Sequence, residues 1–486
     1  MAAYGGNDRS SAPSAHWLRS CLAVLRMISR ISPATGRRAS LLLLVGAVLL
    51  SRLPFLGAGY GLHWDAWGNA KIAQQIAETG RYTMARIPGA PVYELTTALL
   101  ASGGPWALNG LSAVAGAACV LILGLLARRL GCRDWLLAAA ALAFCPVFYI
   151  SSVTSKDFTL ATAFVLLSAL FITKDAPVRA GVALGLAMGC RLTSGAMALP
   201  LALILFAIPP RDRRFAQLGR FALTTTAVAL VAFAPAFARY GFSFLSYFEP
   251  IYYPPLSTVL RRGTIEVWGV LGCAGLLAAI AGALYSRGSG TSMAPAPRRQ
   301  IAAWFAAVLI YATLYAAFPD QAAYFLPAVP FAILLLARFS PRLFFQVFCV
   351  LTIVSSFVGW QEGAPAAGPI FQDRAQRLDL IANVRNFYNF ARTLEGKNVF
   401  VIGGFYHGLG LIAPESRSGH FRYLLTQKEL SEFLADGFTI YYLPAIRQFE
   451  YDVHGIDLAQ YGAIDLYALR QQQGAPGSPE TVRKPE

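Results

Sequence analysis

Two acidic residues stand out by where they fall. Asp65, in GLHWDAWGNAKIAQQIAETGRY, follows the first long apolar run, and Asp157, in SSVTSKDFTLATAF, opens a later one. A carboxylate at the mouth of an apolar segment is costly unless paired or used; two on one face suit general-base work on a hydroxyl, or a shared metal ion. Asp is equally an ordinary helix N-cap, accepting backbone N–H groups and offsetting the helix dipole. The local pattern leaves both readings open. His63 stands close enough in sequence to hydrogen-bond such a base or a sugar, and Lys156 can meet a lipid headgroup or the surroundings of Asp157.

Sparse cations on the same predicted side form the second signal. Arg191 interrupts the apolar run MGCRLTSGAM, and Arg261 and Arg262 close the aromatic, proline-rich loop FSFLSYFEPIYYPPLSTVLRR. An arginine at membrane depth calls for an anionic partner, and its planar, permanently charged fork suits phosphate. Lipid headgroups, or salt bridges to Asp157, Glu249 or Asp320, answer the same need. His407 and His420, in GGFYHGLGLIAPESRSGHF, are spaced as surface or structurally satisfied histidines. VIGGFYHGLG lacks the GxGxxG spacing of a dinucleotide turn.

The elements that position these residues are apolar segments. Hydrophobic residues make up 56% of the 486-residue chain and charged ones 14%, with mean hydropathy +0.51. Runs fit for membrane helices, which need about 20 residues, cover 40–56, 108–127, 135–151, 158–173, 178–190, 193–208, 221–238, 264–285, 301–318, 322–337 and 342–359; the fifth and sixth share a break at Arg191 and can form one hairpin. The sequence therefore predicts a polytopic all-α membrane bundle of about 10–11 transmembrane helices over 39–359. With the N-terminus inside, 20 basic residues fall in the inside segments and 9 outside, the bias expected of a cytoplasmic N-terminus in an inner (plasma) membrane. Asp65, Asp157, Arg191 and the loop 57–107 then face outward. In that loop Trp64, Trp67, Ile72 and Ile76 recur at helical spacing, as in an interfacial helix with Trp at headgroup depth.

Net charge is +16, but up to residue 370 there are 29 Lys and Arg against 12 Asp and Glu, and beyond it 12 against 13. The excess belongs to the membrane part and argues against a nucleic-acid surface. Residues 1–38 read as a basic cytoplasmic arm, with 18–31 able to lie on the membrane as an amphipathic helix. Residues 360–470 read as a small extracytoplasmic α/β domain, with strands at 398–403, 439–443 and 464–468 and a helix at 426–436; 471–486 reads as a disordered tail. The seven cysteines are scattered without metal-ligand spacing, as buried small residues are.

The order of these features resembles the GT-C glycosyltransferases, above all the polyprenyl-phosphate-sugar-dependent branch containing protein mannosyltransferases and the aminoarabinose and galacturonosyl transferases of lipopolysaccharide. The resemblance covers about 40–340. It runs from a basic N-terminus and one span through Asp65 near an interfacial helix, IPGAPVYEL, FCPVFYISSVTSKD with Asp157, and the small-residue hairpin GVALGLAMGCRLTSGAMALPLAL, to FPDQAAYFLPAVPFAILLLA. Two departures are Ala66, where the family often has a second acid, and Ala323 before Tyr324, where it often has Arg.

The resemblance implies transfer of a sugar from a polyprenyl-phosphate donor to a lipid, glycan or protein acceptor at the outer face, with inversion. Asp65 would be the base, and Asp157 would orient the acceptor or help hold a metal. His63, Lys156, Arg191, Arg261, Arg262 and Tyr324 would bind substrate. No cofactor is certain; a divalent ion shared by Asp65 and Asp157 stays open. A transporter or flippase of a lipid-linked glycan is the alternative, though no repeat of the kind transporters carry is present.

Overall fold

A computed structural model describes residues 37–207, 213–246, 253–286, 291–293, 295, 297–361, 364–418, 420–443, 461–464 and 482–483. The segment 18–31, Glu249 and most of 471–486 lie outside the described residues.

Each apolar run becomes a helix or a broken pair. α1 (Arg37–Leu56) is followed by α2 (Trp64–Thr79), the short α3 (Pro91–Ala98) and the long α4 (Gly104–Arg129). The run at 135–151 divides into α5 (Trp135–Ala143) and α6 (Pro146–Ser151), because Pro146 has no N–H to continue the ladder. Buried Arg52 of α1 serves this break: it donates to the Ala143 carbonyl and to Ser152 Oγ (3.2 Å), its guanidinium 3.9 Å from the Tyr149 ring centroid. α7 (Phe158–Ile172) and α8 (Pro177–Cys190) follow, then a 3₁₀ turn at Leu192–Met197, α9 (Ala198–Ala207) and α10 (Arg214–Tyr240). α8 lies against α10 through Gly181 and Gly185. A Cβ on them would sit 2.0 Å from Thr224 Oγ1 and 2.6 Å from Val228 Cβ, a small-residue contact of the kind that holds membrane helices together.

α11 (Leu256–Gly263), α12 (Ile265–Trp268) and α13 (Val270–Ser286) turn by 88° at Gly269. α14 (Arg298–Ala317), α15 (Val329–Phe339) and α16 (Arg342–Phe357) complete the bundle. Among the described residues four helices are long and apolar enough to cross a membrane, or five if the bent pair is one span. Five further apolar helices have 10–17 residues. Part of the difference from the 10–11 expected spans is local: Pro146, Arg191 and the 3₁₀ turns at 192–197 and 322–325 interrupt helical bonding inside apolar sequence.

The reversals gather at two ends. One end holds 57–63, 152–157, Arg191 and 318–321. The other joins the loops at Arg129, Thr173, Asp134, Ser292 and Arg342, through bonds such as Arg129 Nη2 to the Thr173 carbonyl (2.6 Å).

After α16 a hairpin, β1 (Val358–Gln361) and β2 (Ala364–Ala367), leads to α17 (Pro369–Ala391), a helix not read from the sequence. Then come β3 (Asn398–Val401), α18 (Phe405–Ile412), β4 (Phe421–Arg422), α19 (Gln427–Ala435), β5 (Thr439–Tyr442), β6 (Gly462–Ile464) and β7 (Val482–Arg483). The sheet order is β4-β3-β5-β6-β7, the first four parallel and β7 antiparallel. Thr426 and Glu429 form a reciprocal capping box on α19. Val399, Val401, Ile440 and Phe387 fill the core beneath the sheet. Val482–Arg483 falls in the stretch expected to be disordered, yet Val482 pairs with Ile464 and covers the edge of β6.

Candidate active site

Asp65 is not the cap of α2. His63 is, its Nδ1 accepting the Asp65 N–H at 3.2 Å. The Asp65 carboxylate is thereby free for other partners. Asp157 occupies the N-cap position of α7 but its side chain caps nothing. Both carboxylates converge on Arg86: Nη1 donates to Asp65 Oδ2 at 2.6 Å, and Nη2 to Asp157 Oδ1 and Oδ2 at 2.9 and 3.1 Å. Arg191 Nη1 donates to Asp157 Oδ2 at 3.0 Å, with its guanidinium 4.1 Å from the Phe158 ring centroid and 4.8 Å from that of Tyr324. Lys156 Nζ lies 3.8 Å from Asp65 Oδ2 and donates to Gln321 Oε1. Gln321 Nε2 in turn donates to Asp65 Oδ2 (3.3 Å) and Asp320 Oδ2 (3.1 Å), and His63 Nε2 stands 3.2 Å from Asp320 Oδ2.

Buried polar groups fix the loops that carry these residues. Glu94 accepts the Tyr82 hydroxyl (2.6 Å) and the N–H groups of Ala85 (2.8 Å) and Ala90 (3.1 Å), which clamps the turn presenting Arg86. Asn109 Nδ2 donates to the carbonyls of Leu56 and Gly59, and its Oδ1 accepts from Ser155 Oγ. Asn69 Nδ2 donates to the Ser155 carbonyl, Ser112 Oγ to that of Thr154. The loops approach so closely that a Cβ on Gly61 would lie 2.5 Å from Thr154 Cγ2. Arg377 of α17 adds a brace: paired with Asp373 at 2.6 Å, it donates to the Val153 carbonyl and Thr154 Oγ1.

The electrostatics follow from this crowding. Burial alone would raise the Asp65 carboxyl, but Arg86, Lys156 and His63 outweigh it and hold it well below the usual range. Burial likewise opposes ionisation of Asp157, and Arg86 and Arg191 overcome it. Burial, reinforced by Arg86, pushes the Lys156 ammonium down to about 8 despite Asp65. Burial raises Glu94, against its backbone donors. Exposure separates the two aspartates: 28% of the Asp65 side chain is accessible but only 2% of Asp157. A hydroxyl can reach Asp65; Asp157 is buried against its arginines.

Of the residues read from the sequence, Asp65, Asp157, His63, Lys156, Arg191 and Tyr324 come together. Arg262 reaches only the edge, donating to the Pro319 carbonyl at 2.8 Å, and Arg261 pairs with Glu266 at 3.3 Å outside the cluster. Trp64 and Trp67, expected at headgroup depth, meet protein instead: Trp64 packs on Phe405 (4.9 Å between ring centroids), and Trp67 is buried against Tyr60 (5.1 Å). His407 sits 5.4 Å from the Tyr423 ring, and His420 packs on Phe438 beside a separate cavity of about 550 Å³ at the amino end of the sheet. Arg86, Gln321 and Glu94 were missed. The only signal for Arg86 was its membership in the sparse outer cations.

A metal shared by Asp65 and Asp157 would have to lie where the Arg86 guanidinium bridges them. Among the described residues no group of three or more His, Cys, Asp or Glu side chains could hold an ion.

Residues 89–238 match the sequence model of the dolichyl-phosphate-mannose-protein mannosyltransferase family. The fold is shared with ArnT from Cupriavidus metallidurans. The structure of that protein bound to undecaprenyl phosphate aligns at 11% identity, over 92% of this chain and 97% of that one, with a TM-score of 0.52. Its apo structure aligns at 11% identity over 89% and 94%, also with a TM-score of 0.52. No curated protein matches the sequence. The resemblance to GT-C enzymes read from the sequence is thus met in the fold and in this family match.

Proposed function

We propose that the protein is a membrane glycosyltransferase that moves a sugar from a polyprenyl-phosphate donor to a hydroxyl acceptor, with inversion and with Asp65 as general base. The observation that carries this reading is the guanidinium of Arg86 held between an accessible and a buried carboxylate at the mouth of the bundle. Undecaprenyl phosphate bound to ArnT is the kindred ligand. The positive bias of the opposite end supports an outward-facing site in an inner membrane.

The acceptor O–H gives its proton to Asp65 while its oxygen attacks the anomeric carbon. The bond from that carbon to the phosphate oxygen breaks, and the electron pair leaves with polyprenyl phosphate. Arg86, Arg191 and Lys156 offset the phosphate charge. Arg86, bonded to Asp65, also lowers the basicity of that carboxylate. A phosphate competing for that guanidinium restores the basicity of Asp65, so donor binding arms the enzyme. Asp157 anchors both arginines.

Membranes holding wild type or Asp65→Asn, incubated with a radiolabelled panel of polyprenyl-phosphate sugars, test the reading. Wild type consumes a donor and the mutant does not. A panel that leaves wild type no different from empty membranes sinks it and turns attention to flipping.

A further inference from the structure

The C-terminal sheet has the strand order that in other proteins builds a binding crevice. Numbered by order along the chain, its parallel strands lie 2-1-3-4 in space, as β4-β3-β5-β6. In open sheets of this order the crevice lies at the carboxyl ends of strands 1 and 3, where the first strand-to-helix turn, rich in glycine, receives a ligand. Here that turn is Ile402–Gly403–Gly404–Phe405, between β3 and α18, with Gly403 at φ +53. It is the glycine pair whose spacing fits no dinucleotide.

The turn is filled by protein. A Cβ on Gly404 would stand 2.1–2.3 Å from Cδ1, Cγ and Nε1 of Trp64, so the indole lies flush on the backbone where no other side chain fits. Phe405 flanks the same ring, and Tyr406 takes Lys71 Nζ 4.0 Å from its ring centroid, about two turns further along α2. Gly408 of α18 continues the contact with Trp67. Trp64 is the residue before Asp65.

We propose that the C-terminal domain acts as a socket for Trp64, and that the socket fixes the start of α2 so that Asp65 meets the acceptor hydroxyl. This rests on the transferase reading only for its kinetic consequence. Trp64 is a positioning residue: it acts through the backbone of its neighbour. The same domain also braces the Asp157 loop through Arg377, so it touches both acidic segments.

The test is a double-mutant cycle of Gly404→Ala and Trp64→Ala in full-length protein in lipid nanodiscs, read by hydrogen exchange over 64–79 and by transfer. Gly404→Ala alone expels the indole, speeds exchange in α2 and lowers kcat about 10–100-fold, as a misplacement of about 1 Å does, with KM for the donor within about twofold. Trp64→Ala causes a similar loss. In its background Gly404→Ala adds nothing, because the ring it struck is gone. Trp64→Phe, a smaller aromatic ring, recovers part of the rate. Exchange unchanged in Gly404→Ala, or losses that add in the double variant, overturn the socket. Faster exchange in Gly404→Ala with wild type silent on every donor leaves the socket standing and removes the transferase reading alone.

Discussion

The two ends of the bundle each build a carboxylate–arginine cluster, and they build it differently. At one end Asp134 takes both nitrogens of the Arg342 fork, Nε and Nη2, each at 2.9 Å, with Gln346 Nε2 (2.9 Å) and Ser292 Oγ completing its shell. One acid there is saturated by donors devoted to it. At the other end Arg86 divides its fork between Asp65 and Asp157, and Gln321 divides its amide between Asp65 and Asp320. A saturated acid staples loops together. Donors shared between acids can be redirected when another anion arrives, and only the second cluster keeps an accessible carboxylate.

The comparison breaks most sharply at Asp65. Asp65→Asn keeps the shape but removes the base, and transfer falls about 10²–10⁴-fold, with expression and thermal stability near wild type. Wild-type turnover in that variant removes Asp65 from the chemistry. Arg86→Ala comes next. It strips both carboxylates of a charged donor and the phosphate of its partner, and loss of one charged hydrogen bond at about 1.5–3 kcal/mol implies about 10–150-fold weaker donor binding. Titration with polyprenyl phosphate measures this directly; an unchanged dissociation constant refutes the phosphate role. Arg86→Lys recovers only part, since an ammonium cannot bridge two carboxylates as a fork does.

Lys156 gives a smaller effect with a pH signature. Its ammonium titrates near 8, so it is charged below that pH and neutral above it. Donor affinity that depends on the charge is therefore full at pH 7 and declines as pH rises through about 8. Lys156→Arg, which stays charged, moves this decline upward out of the measurable range. A donor-binding profile that is flat from pH 7 to 9.5 in wild type excludes Lys156 from the phosphate site.

The bundle was legible because apolar length and Pro or Arg breaks are local properties: the spans at 40–56, 108–127 and 342–359 end within a few residues of their helices, whereas α10 begins seven residues before 221 and α15 seven residues after 322. The parallel strands at 398 and 439 were legible for the same reason. The site was legible in its acids and not in its wiring. Asp65 and Asp157 announce themselves by lying at the edges of apolar runs. Arg86 is 21 residues from one and 71 from the other, and nothing in a loop composition fixes which acid a guanidinium will meet. Trp64 misled because an indole beside a membrane run satisfies an interfacial reading and a buried one equally well. The glycine that selects between them, Gly404, lies in another domain.

The smallest expected effect sharpens the comparison from the other side. Asp134→Asn keeps the size of the side chain and removes only the charge that faces Arg342. Half of the Arg342 side chain is exposed, so solvent screens the pair and its loss lowers thermal stability by a few degrees at most. Burial opposes the ionisation of Asp134, and hydrogen bonds from Arg342, Ser292 and Gln346 keep its carboxyl below the usual range. The stability it lends is therefore present above the ordinary carboxylate pKa and fades as pH falls through its lowered value; Asp134→Asn removes that acid dependence. Donor affinity and turnover stay at wild-type values, because no donor in this cluster is shared and none faces the mouth that holds Asp65. Should Asp134→Asn slow transfer as Asp65→Asn does, the two ends are coupled, and the division between a stapling cluster and a working one does not hold.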